Sequence, residues 1–283
     1  MASALDMMLA GHNQVVTPDF IMSRPDPFNA DIGYLDQKDL NNFDQDYIDH
    51  LINLKSKNSI PSNMDLEVLL NQYIAKRQVI SDFHNQAFAL LRDYDITAAK
   101  ELGNFDKYYD KVVIRNEAET NLFYEYIALY RKLNGKRAIK QWIEDNSESV
   151  TQQNESVVAA LENAKFSILR LEENLPHGGI RVFDVISQKE ILLMDRALNQ
   201  SRKEGLFFIC SLLDMGEYFM TSGGGIPLDP KVAAGKSALS LSKNYLEKMQ
   251  KSRLPLNNNI AECVRKTYGL CLRGGALSGM SVN

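Results

Sequence analysis

The feature that most constrains this chain is the spacing of its apolar residues, which recur at steps of three and four. Leu66, Leu69, Leu70, Tyr73, Ile80, Phe83, Ala87 and Leu91 share one face of a helix predicted to run to about Asp93. "SNMD" at Ser62–Asp65 reads as its capping box. Leu40, Phe43, Tyr47, Leu51 and Leu54 mark a shorter helix before it. Tyr109, Val112, Val113, Leu122, Phe123, Tyr126, Leu129 and Tyr130 mark another over Asp106–Leu133, closed by Asn134-Gly135, and a short helix then carries Trp142. Val157, Leu161, Ala164, Ile168, Leu171 and Leu175 alternate by four and three without a break, a heptad seam suited to a bundle helix. A further helix is expected from Asp184 through Ile191, Met194 and Leu198. The stretch from Gly205 to Met220, "GLFFICSLLDMGEYFM", is hydrophobic almost all round and reads as the central buried helix, with a last helix near Asn258–Leu272.

No segment shows sustained period-two alternation between turn residues. The expected fold is therefore all-α, a multi-helix bundle of about eight helices with an extended N-terminal arm. The arm takes residues 1–34, where "TPDFIMSRPDPFN" packs three prolines into a short span, and a short helix is expected at Ala2–Ala10. A helical layer over 35–146 and a bundle over 147–272 follow, or one domain spanning both, and 273–283 form a tail. The polar run "NSESVTQQNES" marks the boundary.

The cysteines are odd in count, Cys210, Cys263 and Cys271, which excludes a full disulfide framework and fits a reducing compartment. The N-terminus lacks the basic region of a signal peptide, and no apolar run approaches the roughly 20 residues that span a bilayer. A soluble, cytoplasmic protein is expected.

The segment "TSGGGIPLDPKVAAGKS" resembles a phosphate-binding loop at first sight. A Walker A loop needs a glycine six residues before its lysine, and Pro230 stands there relative to Lys236. The element before it also reads as a helix where a strand is required. The triple glycine is instead expected to be a hinge or a loop of close approach, followed by Asp229 as a helix cap and Pro230 at the first helical position. The histidines, His12, His50, His84 and His177, show no metal spacing, and no glutamate has a histidine three residues on. Ser240 and Lys243 match the four-residue SxxK pattern, which arises often by chance. No catalytic, cofactor or metal residue is assigned, and the chain is expected not to be an enzyme and to need no cofactor.

Charge is the remaining signal. Residues 1–58 carry nine acidic and four basic side chains, while residues 231–283 carry nine basic and two acidic ones. The two ends pack together and neutralise each other, form plain solvated faces, or present an acidic and a basic docking surface to different partners. Lys243, Lys248, Lys251, Arg253, Arg265, Lys266 and Arg273 are the candidate protein-interaction residues. Nearby aromatics are few, so nucleic acid is not the expected partner.

The overall helical make-up, the length and the run "LFFICSLLDMGEYFMTSGGGIPLDP" together resemble the DotZ family, cytosolic accessory subunits of the Dot/Icm type IV secretion coupling complex. The resemblance transfers no site residue. It implies a non-enzymatic adaptor that docks beside the coupling ATPase and its accessory proteins and helps recruit effectors, held at the inner-membrane face through those partners without inserting into the membrane. The alternative expectation is a helical bacterial effector or an enzyme with an unrecognised active site.

Overall fold

The structure is a computed structural model that describes residues 43–54, 64–90, 95–106, 111–114, 117–133, 135–146, 150–151, 154–201, 204–251 and 257–273. Helices precede and follow a β-barrel. Before it come α1 (Gln45–Asn53), α2 (Leu66–Leu90), α3 (Asp95–Leu102), α4 (Glu117–Glu125), α5 (Ala138–Asp145) and α6 (Glu155–Glu162). Two small hairpins intervene, β1 (Phe105–Asp106) with β2 (Lys111–Val112) and β3 (Lys132–Leu133) with β4 (Lys136–Arg137). The barrel is β5 (Lys165–Asn174), β6 (Gly179–Asp184), β7 (Lys189–Met194), a short α7 (Arg196–Ser201), β8 (Phe207–Asp214) and β9 (Phe219–Leu228). Then α8 (Ala233–Lys251) and α9 (Asn257–Arg273) close the chain's described part.

The barrel overturns the all-α expectation: the fold is mixed α/β. Its strand order is β5-β6-β7-β9-β8, closing back onto β5. Every pairing is antiparallel except β7 with β9, which are parallel and share one register pair, Leu193 with Phe219. A five-stranded barrel in the order first-second-third-fifth-fourth, with a helix between its third and fourth strands, has the arrangement of an OB-type Greek-key barrel.

The heptad-like run splits between α6 and β5, and the "central helix" is the β8–β9 hairpin. The Asp184–Leu198 helix is the β6–β7 hairpin followed by α7. The reason is burial on both faces. Leu169, Leu171, Ile180, Val182, Leu193, Phe208, Cys210 and Leu212 fill the barrel lumen. Their neighbours Ile168, Phe183, Leu192, Phe207, Ile209 and Leu213 pack outward into a second core beneath the helices. A strand buried on both sides has no polar face, so alternation vanishes from the sequence.

The helices cover the barrel wall. α4 lies on β9, α6 on β8 and α2 on β7, while α9 packs against α3 and α8. α2 covers the short β7–β9 seam. Its Arg77 donates to the Thr221 carbonyl at 2.8 Å, supplying a partner that the abbreviated ladder does not. α1, α2, α5 and α9 stand close to where the apolar spacing puts them. The expected Asp106–Leu133 helix is confined to α4 and one π-helical turn, Tyr126–Tyr130, preceded by the β1–β2 hairpin. At the start of α2, Asp65 caps through Glu67 N and Val68 N. The expected N-terminal arm and its expected short helix, Ser62, Leu40, Leu91 and the tail beyond Arg273 lie outside the described residues.

Candidate functional site

The triple glycine lies within β9 as a bulge, which replaces the expected hinge. Cys210 faces Gly225 and Leu212 faces Thr221, so three residues, Ser222, Gly223 and Gly224, stand opposite Ser211 alone. Gly223 adopts φ +126°, a backbone state that suits only glycine. A Cβ at Gly223 would lie 2.8 Å from Arg77 Nη2, and one at Gly224 would lie 2.9 Å from Glu125 Oε2. The absent side chains thus let a guanidinium and a carboxyl from two different helices reach one strand.

Glu125 ends α4 and is 2% exposed. Its Oε1 accepts hydrogen bonds from Ser211 Oγ at 2.5 Å and from the Tyr268 hydroxyl. Its Oε2 accepts from Ser222 Oγ, and the Gly224 N–H also donates to the carboxyl. Tyr130 completes the set, its hydroxyl 2.6 Å from Ser211 Oγ. In an α-helix, residues five apart stand about 140° apart around the axis. The i→i+5 pattern of the Tyr126–Tyr130 turn narrows that angle, so Glu125 and Tyr130 both reach β8.

Burial pushes the Glu125 carboxyl above its ordinary range, against the opposing pull of the donors from Ser211, Ser222, Tyr268 and Gly224. Tyr268 and Tyr130 are themselves driven well up, first by burial and then by the nearby Glu125. The cluster therefore joins helix, barrel and C-terminal helix through groups sealed from solvent. Chemically it can hold or release one proton and can couple α9 to β8 and β9.

A second polar node adjoins it. Thr221 Oγ1 donates to Asp195 Oδ2 at 2.8 Å, and Asp195 Oδ1 caps α7 through Leu198 N at 3.0 Å. His84 is partly buried on α2, and desolvation, with Arg77 nearby, lowers its imidazole to about 4. Its ring lies 5.6 Å from that of Phe83.

The element before the Gly-Lys-Ser segment is the strand β9, where a helix had been expected. Helix α8 begins only at Ala233, and Asp229 Oδ1 accepts from Lys231 N in the turn before it. Lys236 Nζ sits 4.7 Å over the Phe43 ring, and Gly235 packs directly on the Asp229 carbonyl. Ser240 Oγ accepts from Asp44 N at 2.8 Å, and Lys243 pairs with the Asp44 carboxylate. The SxxK pair thus anchors the start of α1. Among the described residues, no group of three or more His, Cys, Asp or Glu could hold a metal ion.

The seven basic candidates do not act alike. Lys243 faces α1 through Asp44. Arg265 lies near Tyr126, whose hydroxyl donates to Glu101 at 2.8 Å beside the Arg131–Glu101 pair at 3.1 Å. Lys266 pairs with Glu262 one turn back at 2.8 Å on an exposed surface. Lys248 and Lys251 fall in α8 and Arg273 ends α9, with side chains outside the described residues, as is Arg253 altogether. Sequence reasoning missed Glu125, Ser211, Ser222 and Tyr268. The one local sign was a lone acid inside the apolar run "NLFYEYIALY".

No curated protein and no solved structure matches the chain. A family model described as a family of unknown function, DUF7986, matches residues 67–262. That span opens in α2, takes in Glu125 and the whole barrel, and ends in the first turns of α9. The chain belongs to the DUF7986 family.

Proposed function

We propose that this protein is a non-enzymatic adaptor, a structural subunit of a cytosolic multiprotein assembly. The observation that carries this reading is the covering of the barrel wall. OB-type barrels take ligands on their strand surfaces, and here α2, α4 and α6 lie on β7, β9 and β8, while Arg170 of β5 holds α1. Helices cover these strands, and amphipathic helices are a common element of contact between proteins. A fold does not dictate its function, so the strand order alone assigns no ligand. The type IV secretion coupling complex, with its ATPase and effector recruitment, is the assembly implied by the sequence resemblance and the first to test. Among the described residues no helix is long and apolar enough to cross a membrane.

The test is size-exclusion chromatography with light scattering on tagged protein purified at native expression level, with nuclease present. A stoichiometric complex is expected; recovery only as a 32.0 kDa monomer overturns the reading. A second reading, oligonucleotide binding, is favoured by the barrel's strand order and the basic C-terminal segment. Fluorescence anisotropy with single-stranded DNA and RNA tests it: salt-sensitive binding at micromolar concentration replaces the adaptor reading.

A further inference from the structure

Helix α1 is held at both ends by side chains from elsewhere in the chain. At its N-terminus the capping residue Asp44 is read three ways. Its own carboxylate accepts from Tyr47 N at 3.0 Å, its backbone N–H donates to Ser240 Oγ at 2.8 Å, and Lys243 Nζ pairs with its carboxylate. One residue earlier, Lys236 Nζ lies over the Phe43 ring at 4.7 Å. One turn later, the Tyr47 hydroxyl meets Ser242 Oγ at 3.4 Å. At the C-terminus, Arg170 donates to the carbonyls of Leu51, Ile52 and Leu54. These carbonyls are among those a helix leaves without internal partners, and a cation there also suits the helix dipole. Arg170 is 4% exposed, stacks 5.3 Å over Phe183 and is fixed from behind by Glu172 at 2.5 Å.

Between these clamps α1 buries only Ile48 and Leu51. The groove therefore reads a helix by general features: an acidic cap, an aromatic three residues on, aliphatics four and seven residues on, and a free C-terminal carbonyl end. Cation and hydroxyls at one end and a guanidinium at the other also fix the direction of the helix. Nothing in that recognition requires the helix to be covalently connected. Helix-in-groove binding of this kind is a common mode of partner recognition, with anchors at one face of a short amphipathic helix.

We propose that the groove between α8 and Arg170 is a helix-docking site, that α1 is its internal occupant, and that a partner's short helix with an acidic cap and the same spacing takes its place. The proposal rests on the adaptor reading and names the kind of partner it would hold. Displacement frees α1, so binding of a partner and release of α1 are one exchange.

The test uses the full-length chain and a fluorescein-labelled peptide of residues 43–54, acetylated and amidated. In the intact protein α1 competes with the peptide at high effective concentration, so binding is expected to be weak. Ile48→Ala in the protein loosens its own α1, and peptide affinity is expected to rise at least about tenfold, read by anisotropy. Placing Lys243→Glu in that same variant is expected to abolish binding, and a peptide carrying Asp44→Lys is expected to restore it. The charge swap separates recognition from misfolding, because a collapsed groove cannot be rescued by a changed peptide. No gain with Ile48→Ala up to roughly millimolar peptide, or no rescue by the swapped pair, overturns the proposal. A stable native complex alongside failed exchange leaves the adaptor reading standing and removes only this site. Successful exchange by a protein that purifies alone does the reverse.

Discussion

Replacing Glu125 offers the sharpest test of the buried cluster. Glu125→Ala removes the acceptor for three hydroxyls and one backbone N–H. Ser211 and Tyr130 share one hydrogen bond and so leave one hydroxyl proton without an acceptor; with Ser222, Tyr268 and the Gly224 N–H, up to four donors are stranded, and with the cavity the cost comes to about 5 kcal/mol or more. Against a total stability of about 5–15 kcal/mol, that variant sits near the limit of folding. Glu125→Gln is the working probe. Its amide nitrogen is accommodated where Oε1 stood, because the Ser211 and Tyr268 hydroxyls can turn to accept, while its oxygen still meets Ser222 and the Gly224 N–H. The direction with pH follows from linkage. The folded carboxyl titrates above the ordinary 4.5 of the unfolded chain, so it holds its proton more tightly when folded. Its stabilisation is complete below 4.5 and is lost as pH rises through the folded value, at up to about 1.4 kcal/mol per pH unit. Glutamine does not titrate, so Glu125→Gln is expected to gain on the wild type steadily as pH rises. Urea unfolding followed by the fluorescence of Trp142, the sole tryptophan and 7% exposed, measures both at roughly pH 4 to 8. Parallel stability curves across that range would refute a burial-dominated carboxyl.

Three further expectations follow from the same geometry. His84 has the opposite sign: its folded value of about 4 lies below the unfolded 6.5, so its contribution is present above 6.5 and lost on acidification toward 4. Urea midpoints of His84→Leu should be flatter than those of the wild type over that window. Gly235→Ala drives a Cβ into the Asp229 backbone carbonyl, whereas Gly224→Ala meets only the end of the Glu125 side chain. Thermal melts should rank Gly235→Ala as the costlier, above about 3 kcal/mol against about 1–3 kcal/mol. The Cys210 and Cys271 thiols are buried and pushed up, the latter to about 12. Neither should react with a disulfide reagent near neutral pH in the native protein, while guanidinium should release all three cysteines by absorbance.

Helices on the outside of this protein were legible because solvent writes on one face of them. In α2, Leu69, Tyr73, Ile80 and Phe83 are buried at helical steps, and the period survives in the sequence. The strands of the barrel lack that signature. In β8, Phe208, Cys210 and Leu212 point to the lumen while Phe207, Ile209 and Leu213 point to the helices, leaving an apolar run that reads equally as a buried helix. Its length, eight residues, was the available discriminator. β9 was hidden differently, because Gly223, Gly224, Gly225 and Pro227 are residues that argue against a strand. The Glu125 cluster lay beyond local reading, since Ser211, Ser222 and Tyr268 are 86, 97 and 143 residues away.

That last separation has a consequence for how the chain is made. Glu125 leaves the ribosome 143 residues before Tyr268. At about 5–20 residues per second, translation needs roughly 7 to 30 seconds to close that gap. Throughout it α4 carries an acid in an apolar stretch whose cradle is unfinished, and α3 waits for the helix that will pack on it. The N-terminal helices cannot finish burying themselves while the chain is still growing. A stop codon or tag that disturbs α9 therefore strikes at the first half of the protein, because Glu125 and the apolar residues around it stay unburied until α9 arrives.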